Sequence, residues 1–201
     1  MADTTEKPTA STGDDGKQPS LIELLPDWHP IAKSYKLAKN DAAGGPKPPS
    51  ATYRGGCHCG AINFDVTLSP PLEPIEGSSE PAHTVINCSC SACRRFGYLL
   101  VYPSRENVVF HNKGGGQARC KTYQFNLKVQ DHLFCKNCGS SILIDFLDRF
   151  APDWSGYGIS VRSLYNVDID ALNVLSVDGE KGVAPAGDMS GQWYVESDTE
   201  E

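Results

Sequence analysis

Ala61-Ile-Asn-Phe-Asp-Val-Thr-Leu68 alternates apolar and polar residues without a break, placing Ile62, Phe64, Val66 and Leu68 on one face. That period of two marks a half-buried β-strand, because successive side chains leave a strand on opposite sides. Working outward, shorter runs at 83–87, 98–102, 107–110, 120–125, 129–134, 141–146 and 157–161 are rich in β-branched and aromatic residues and bounded by turn formers. Gly114-Gly-Gly116, the proline-rich stretch 69–81 and residues 147–156 read as loops; only 90–96 and 167–172 read as short helical turns. The expected fold is mainly β, built of antiparallel sheets.

Cysteine motifs punctuate these strands. Cys57-His-Cys59-Gly60 opens the first, Cys88-Ser-Cys90-Ser-Ala-Cys93-Arg94-Arg95 ends another, and Cys135-Lys-Asn-Cys138-Gly139 joins two more. A C-x-x-C-G turn aims both sulfurs to one side while the glycine lets backbone amides approach them, which is how a zinc knuckle works. Metal binding is the expected reading, against a redox dithiol or unliganded core cysteines. The division needing fewest assumptions is four plus three. Cys57, Cys59, Cys135 and Cys138 close one structural site, and Cys88, Cys90 and Cys93 form a second site with one coordination position open, the arrangement of catalytic zinc. Cys120 has no ligand spacing and reads as a strand residue packed in the core. His58, between two ligands, is expected to point away from the metal; His83 and His132 approach the cysteine turns, and His29 and His111 carry no signal.

The chain has 201 residues with 39% hydrophobic content, enough for one domain with a proper core. Residues 51–195 are expected to form it, after a disordered or weakly ordered extension and linker at 1–50 and before an acidic tail at 196–201. Leu21 to Ile31 reads as a strap on the domain surface or, around Trp28, a partner-docking segment. No apolar run suits a membrane span, and the first residues lack a signal peptide's apolar core, so the cytoplasm or nucleus is the expected location. In that reducing setting eight cysteines favour metal over a disulfide framework. The net charge is -7, of which the last six residues hold -4 and the first twenty -2, leaving a near-neutral body without the basic stripe that nucleic acid requires. Nothing in the sequence fixes the oligomeric state.

Gly55-Gly-Cys-His-Cys-Gly-Ala-Ile62, Cys88-Ser-Cys-Ser-Ala-Cys-Arg-Arg95, Phe134-Cys-Lys-Asn-Cys-Gly-Ser140 and Gly158-Ile-Ser-Val-Arg-Ser-Leu164 together resemble the successive motifs of the glutathione-dependent formaldehyde-activating enzyme family, also called the centromere protein V domain family. The resemblance spans residues 51–175. It implies an Mss4-like fold of twisted antiparallel sheets and two zinc ions per chain. One would sit on Cys57, Cys59, Cys135 and Cys138; the other, catalytic, on Cys88, Cys90 and Cys93 near a glutathione-binding surface. The implied activity is carbon-sulfur lyase chemistry that joins glutathione and formaldehyde as S-hydroxymethylglutathione.

That chemistry suits an open zinc, which lowers a thiol's pKa or polarises an aldehyde oxygen. Arg94 and Arg95 are the side chains expected to hold a glutathione carboxylate, with solvated charges on a helical turn as the plainer alternative. Ser89 stands where many relatives carry His, so position 89 is not expected to move a proton. The competing reading is a non-catalytic, zinc-stabilised binding module; a chromatin or cytoskeletal role fits the near-neutral body and acidic ends poorly.

Overall fold

The computed structural model describes residues 31–33, 35–36, 39, 43–44, 49–77, 81–111, 116–147, 154–182 and 187–194. Expectations placed on residues 1–30, the Trp28 segment among them, on most of the linker and on the tail at 196–201 lie outside the described residues. No helix among the described residues is long and apolar enough to cross a membrane.

Two sheets make the fold. The smaller joins β1 (Ala51–Gly56), β2 (Asn63–Leu68) and β5 (Val108–Phe110) in the order β1-β2-β5, all antiparallel. The larger contains β3 (Val85–Cys88), β4 (Leu100–Val101), β6 (Cys120–Tyr123), β7 (Asp131–Cys135), β8 (Ser141–Asp145), β9 (Tyr157–Ser160) and β10 (Val174–Val177), ordered β10-β3-β4-β9-β8-β7-β6. The mainly β reading holds. Its antiparallel pairing is broken at one place, where β10 lies parallel to β3, making the larger sheet mixed. The expected turn at 90–96 is a helix, Ser91–Phe96, and the one at 167–172 contains a 3-10 turn, Ile169–Ala171.

The alternation in β2 does what it promised: Phe64, Val66 and Leu68 are buried, as is Ile62 before them, and the residues between are half-exposed. This face packs into a core with Val85, Val101, Leu133, Leu143 and Ile159 from one face of the larger sheet. The sheet's other face carries Ile86, Leu100 and Ile144, which cluster with Cys93, Tyr98, Tyr102, Phe146, Trp154 and the helical residues Ile31 and Tyr35. A sheet covered on both faces needs continuous apolar strands, which is why β8 is Ser-Ile-Leu-Ile-Asp and β3 begins Val-Ile.

Strand direction then decides where the cysteines go. β3, β9 and β10 point the same way, and β7 runs with them because it is antiparallel to β8, which is antiparallel to β9. Cys88 ends β3, Cys135 ends β7 and Ser141 starts β8, so both cysteine groups fall at one end of the larger sheet.

Candidate metal centres

Cys57, Cys59, Cys135 and Cys138 bring their four sulfurs within 4.8 Å of one another. Two of these separations, Cys57 to Cys59 at 3.5 Å and Cys59 to Cys135 at 3.8 Å, match the edge of about 3.8 Å that a zinc tetrahedron with sulfur bonds of about 2.3 Å demands. Two turns build the group. After β1 the chain reverses at Cys57 to Ile62, with the Ile62 amide donating to the Cys57 sulfur at 3.2 Å. After β7, Gly139 takes a left-handed φ of 75°, its amide bonds the Cys135 carbonyl at 2.8 Å, and the Asn137 amide donates to the Cys135 sulfur at 3.4 Å. Ser140 ties the turns together: its Oγ accepts from the His58 amide at 3.2 Å and lies 3.2 Å from the Cys138 sulfur.

These contacts set the acidities. Burial pushes Cys57 up to about 11, while the Ser140 hydrogen bond holds exposed Cys138 down at about 5 and the Asn137 side chain lowers Cys59. The amides and hydroxyl aimed at sulfur are the donors that a thiolate set on a metal needs, so the residues fit a closed metal site.

Cys88, Cys90 and Cys93 form the second group, also with sulfurs within 4.8 Å. Cys88 closes β3, Cys90 caps the helix Ser91–Phe96 by accepting from the Cys93 amide at 3.4 Å, and Cys93 is buried in its first turn. The Cys90 amide donates to the Cys88 sulfur at 3.5 Å. Contacts with Cys88 and then Cys93 hold Cys90 well below the usual thiol range, while the contact with Cys90 pushes Cys88 up and contacts with Cys88 and then Cys90 push Cys93 up. A cation entering the group would displace the thiol protons. Among the described residues, no fourth His, Cys, Asp or Glu donor joins this group.

The surroundings differ from the sequence expectations in several respects. Arg94 and Arg95 both face Asp188, at 3.4 and 3.7 Å, and Arg94 also approaches Glu180 at 3.9 Å. They therefore pin the segment after β10 against the cysteine helix. Within that segment Gly179 is buried against Cys88 and Cys90, and the Asp178 carboxylate accepts from the Ser89 hydroxyl at 3.4 Å. Neither Gly179 nor Asp188 carried a signal in the sequence, because a long-range strand pairing places both.

Cys120, half-buried in β6, joins neither sulfur group and packs against the core. His58 is exposed and outside the sulfur groups; His83 bonds the Pro70 carbonyl at 2.9 Å, and His111 pairs with Asp65 at 2.8 Å. His132 is 1% exposed, its ring against Phe96 and Phe125 at 5.3 Å each, and its Nδ1 has no partner among the described residues. Burial pushes it down to about 4, so it is neutral at pH 7.

The sequence model of a family described as glutathione-dependent formaldehyde-activating enzyme matches residues 52–153, which include all seven motif cysteines. Among solved structures, the crystal structure of a Rhodobacter sphaeroides protein is similar at 24% sequence identity, covering 61% of this chain and 97% of that one with a TM-score of 0.43.

Proposed function

The chain belongs to the glutathione-dependent formaldehyde-activating enzyme family, and on that premise we propose that it is a zinc-dependent enzyme of the carbon-sulfur lyase type. Its substrate would be the glutathione adduct of formaldehyde or another small aldehyde, or a related thiol adduct. The observation that carries this reading is the contrast between the two sulfur groups. One has four donors and closes on itself; the other has three, beside a helix and a half-exposed edge. Two zinc ions per chain would match that count, the first on Cys57, Cys59, Cys135 and Cys138, the second on Cys88, Cys90 and Cys93.

A zinc ion on the three-sulfur group would supply an open coordination position that lowers the pKa of a thiol or polarises an aldehyde oxygen. The reaction is balanced without an oxidant. In the joining direction a sulfur electron pair forms the new bond to the aldehyde carbon, the carbonyl π pair moves to oxygen, and the thiol proton ends on that oxygen; cleavage reverses each movement. The chain's own residues would hold the metal and exclude water from one side of it, since Cys93, Tyr98 and Tyr102 are buried together. Position 89 offers a hydroxyl engaged by Asp178 and no acid-base group. Arg94 and Arg95 would meet a substrate carboxylate by exchange with Asp188.

Metal analysis and an NMR exchange assay test the proposal together. Two zinc ions per wild-type chain should fall to one in Cys90→Ser with the fold retained, and wild type alone should speed exchange between formaldehyde and glutathione. No acceleration by a wild-type protein holding both ions would leave a zinc-stabilised binding module in its place.

A further inference from the structure

A cleft of about 430 Å³, a size within the range of small-molecule sites, opens beside the four-sulfur group, whose Cys57 lines it, and reaches the end of the helix that carries Cys93. His58 and Ser140 from the closed group line one side. Phe96 and Gly97, at the end of the helix that carries Cys93, line another, and Ser160, Arg162 and Ser163 line the third. Among the described residues no acidic side chain lines it, although the chain as a whole is at -7. Arg162, exposed in the cleft, has no ion pair or hydrogen bond from its side chain among the described residues, as is also true of Arg54 on β1, whereas four other arginines are engaged. Arg94 and Arg95 face Asp188, Arg105 grips Asp145, and Arg119 donates to the Ala61 carbonyl at 2.8 Å.

A guanidinium without a partner, in a cleft where no described residue offers a carboxylate and where Ser163 donates to the Ser160 carbonyl at 2.6 Å, suits an anion with oxygen acceptors. Strand register places it with respect to the three-sulfur group. Ile86 on β3 sits opposite Leu100 on β4, and Leu100 sits opposite Ser160 on β9. β3 and β9 run the same way with one strand between them, which sets the backbones of Ile86 and Ser160 about 10 Å apart; Cys88 follows two residues later at the end of β3, and Arg162 two residues later in the 3-10 turn Val161–Ser163. From the helix side, four residues at about 1.5 Å each bring the chain from Cys93 to Gly97 at the cleft wall, about 6 Å along the axis. The sulfur of a thiol tripeptide such as glutathione sits on its middle residue, so a terminal carboxylate lies about 7 Å from it, two extended residues' length. With the sulfur at the three-sulfur group, that reach and the length of the Arg162 side chain together bring a carboxylate to the cleft.

Resting on the reading of the chain as an enzyme of glutathione adducts, we propose that this cleft is the carboxylate-binding subsite and that Arg162 is its anchor. Arg162 is then a specificity-determining residue that touches the substrate away from the reacting atoms.

The test uses the full-length, zinc-loaded protein and S-methylglutathione, whose sulfur cannot ionise or strip the metal, with its dimethyl ester as the neutral comparison. Calorimetry should show wild type binding the acid on the order of tenfold to a hundredfold more tightly than the diester, as charge-assisted hydrogen bonds imply. Arg162→Gln should lose affinity for the acid by a similar factor and discriminate little between the two; Arg162→Lys should recover part of the difference. Unchanged affinity in Arg162→Gln, or discrimination that survives in it, overturns the assignment. The formaldehyde exchange assay on the same wild-type sample separates the two readings. Acceleration with no effect of Arg162→Gln on KM removes the cleft and leaves the enzyme, whereas no acceleration and no binding of S-methylglutathione removes both.

Discussion

Gly179 lies against the Cys88 sulfur so closely that a β-carbon at position 179 would collide with it, and would also come to 3.0 Å from the Cys90 β-carbon and backbone nitrogen. The parallel pairing of Val177 with Cys88 is what brings the two together. Gly179→Ala is therefore expected to displace the first two sulfurs of the three-sulfur group and leave the four-sulfur group intact. Zinc titration should show the weaker ion bound about tenfold to a hundredfold less tightly, in the range by which disturbed metal surroundings act. Equal affinity for both ions in wild type and variant would contradict it.

The closed group ties positions 76 residues apart, Cys59 and Cys135, at the start and end of most of the core. Binding energy at such a site is folding energy. Graded chelation followed by circular dichroism and a zinc indicator is expected to show two steps, zinc leaving first without loss of β signal and then with it. Cys135→Ser should unfold at far lower temperature than Cys90→Ser. A single step, or equal midpoints for the two variants, would mean that the groups do not differ in role.

Burial holds His132 at about 4, below the usual value of about 6.5. Below about pH 6.5 the unfolded chain takes up a proton that the folded chain refuses until about pH 4. The resulting loss of stability is absent above 6.5, grows as pH falls through that window and reaches its full size below 4. At pH 5 it should be about 2 kcal/mol. Urea unfolding at pH 7.5 and pH 5 is expected to show wild type losing about that much more than His132→Phe. Parallel losses would show the ring to be protonated in the folded protein.

Asp188 sits on both arginines of the cysteine helix, and hydrogen bonds to Ser190 help to hold its carboxyl below the ordinary range. All three side chains are exposed enough for salt to screen them. Asp188→Asn is expected to leave the thermal midpoint nearly unchanged and to tighten binding of S-methylglutathione by freeing Arg94 and Arg95 for its second carboxylate. Weaker or unchanged binding would show that the arginines serve only to hold the segment down.

What could be read beforehand was whatever nearby residues decide. Ile62 to Leu68 announced β2 through alternation, and the cysteine spacing announced two sulfur groups of four and three, which the fold brings together. Ala51–Gly56 escaped notice as a strand because its buried positions are glycines, so no apolar period exists to be seen. Val174–Val177 escaped for the opposite reason: its apolar side chains are largely exposed, and it is a strand because β3 offers a backbone ladder. Arg162 stood in the motif at 158–164 without a role of its own. That it faces a cleft lined by Phe96, Gly97 and Ser140 depends on elements distant in sequence, and no spacing records that.

The parallel strand β10 also has a bearing on which backbone the sheet leaves open. Among the described residues it is the outermost strand on its side, and it covers the backbone of Val85–Cys88, which carries the first cysteine of the three-sulfur group. A chain cut before Val174 would offer that ladder, with buried Val85 and Ile86 behind it, to any other chain able to extend a strand. β10 thus closes the backbone ladder beside Cys88 and leaves the sheet's open edge on its own, more exposed residues.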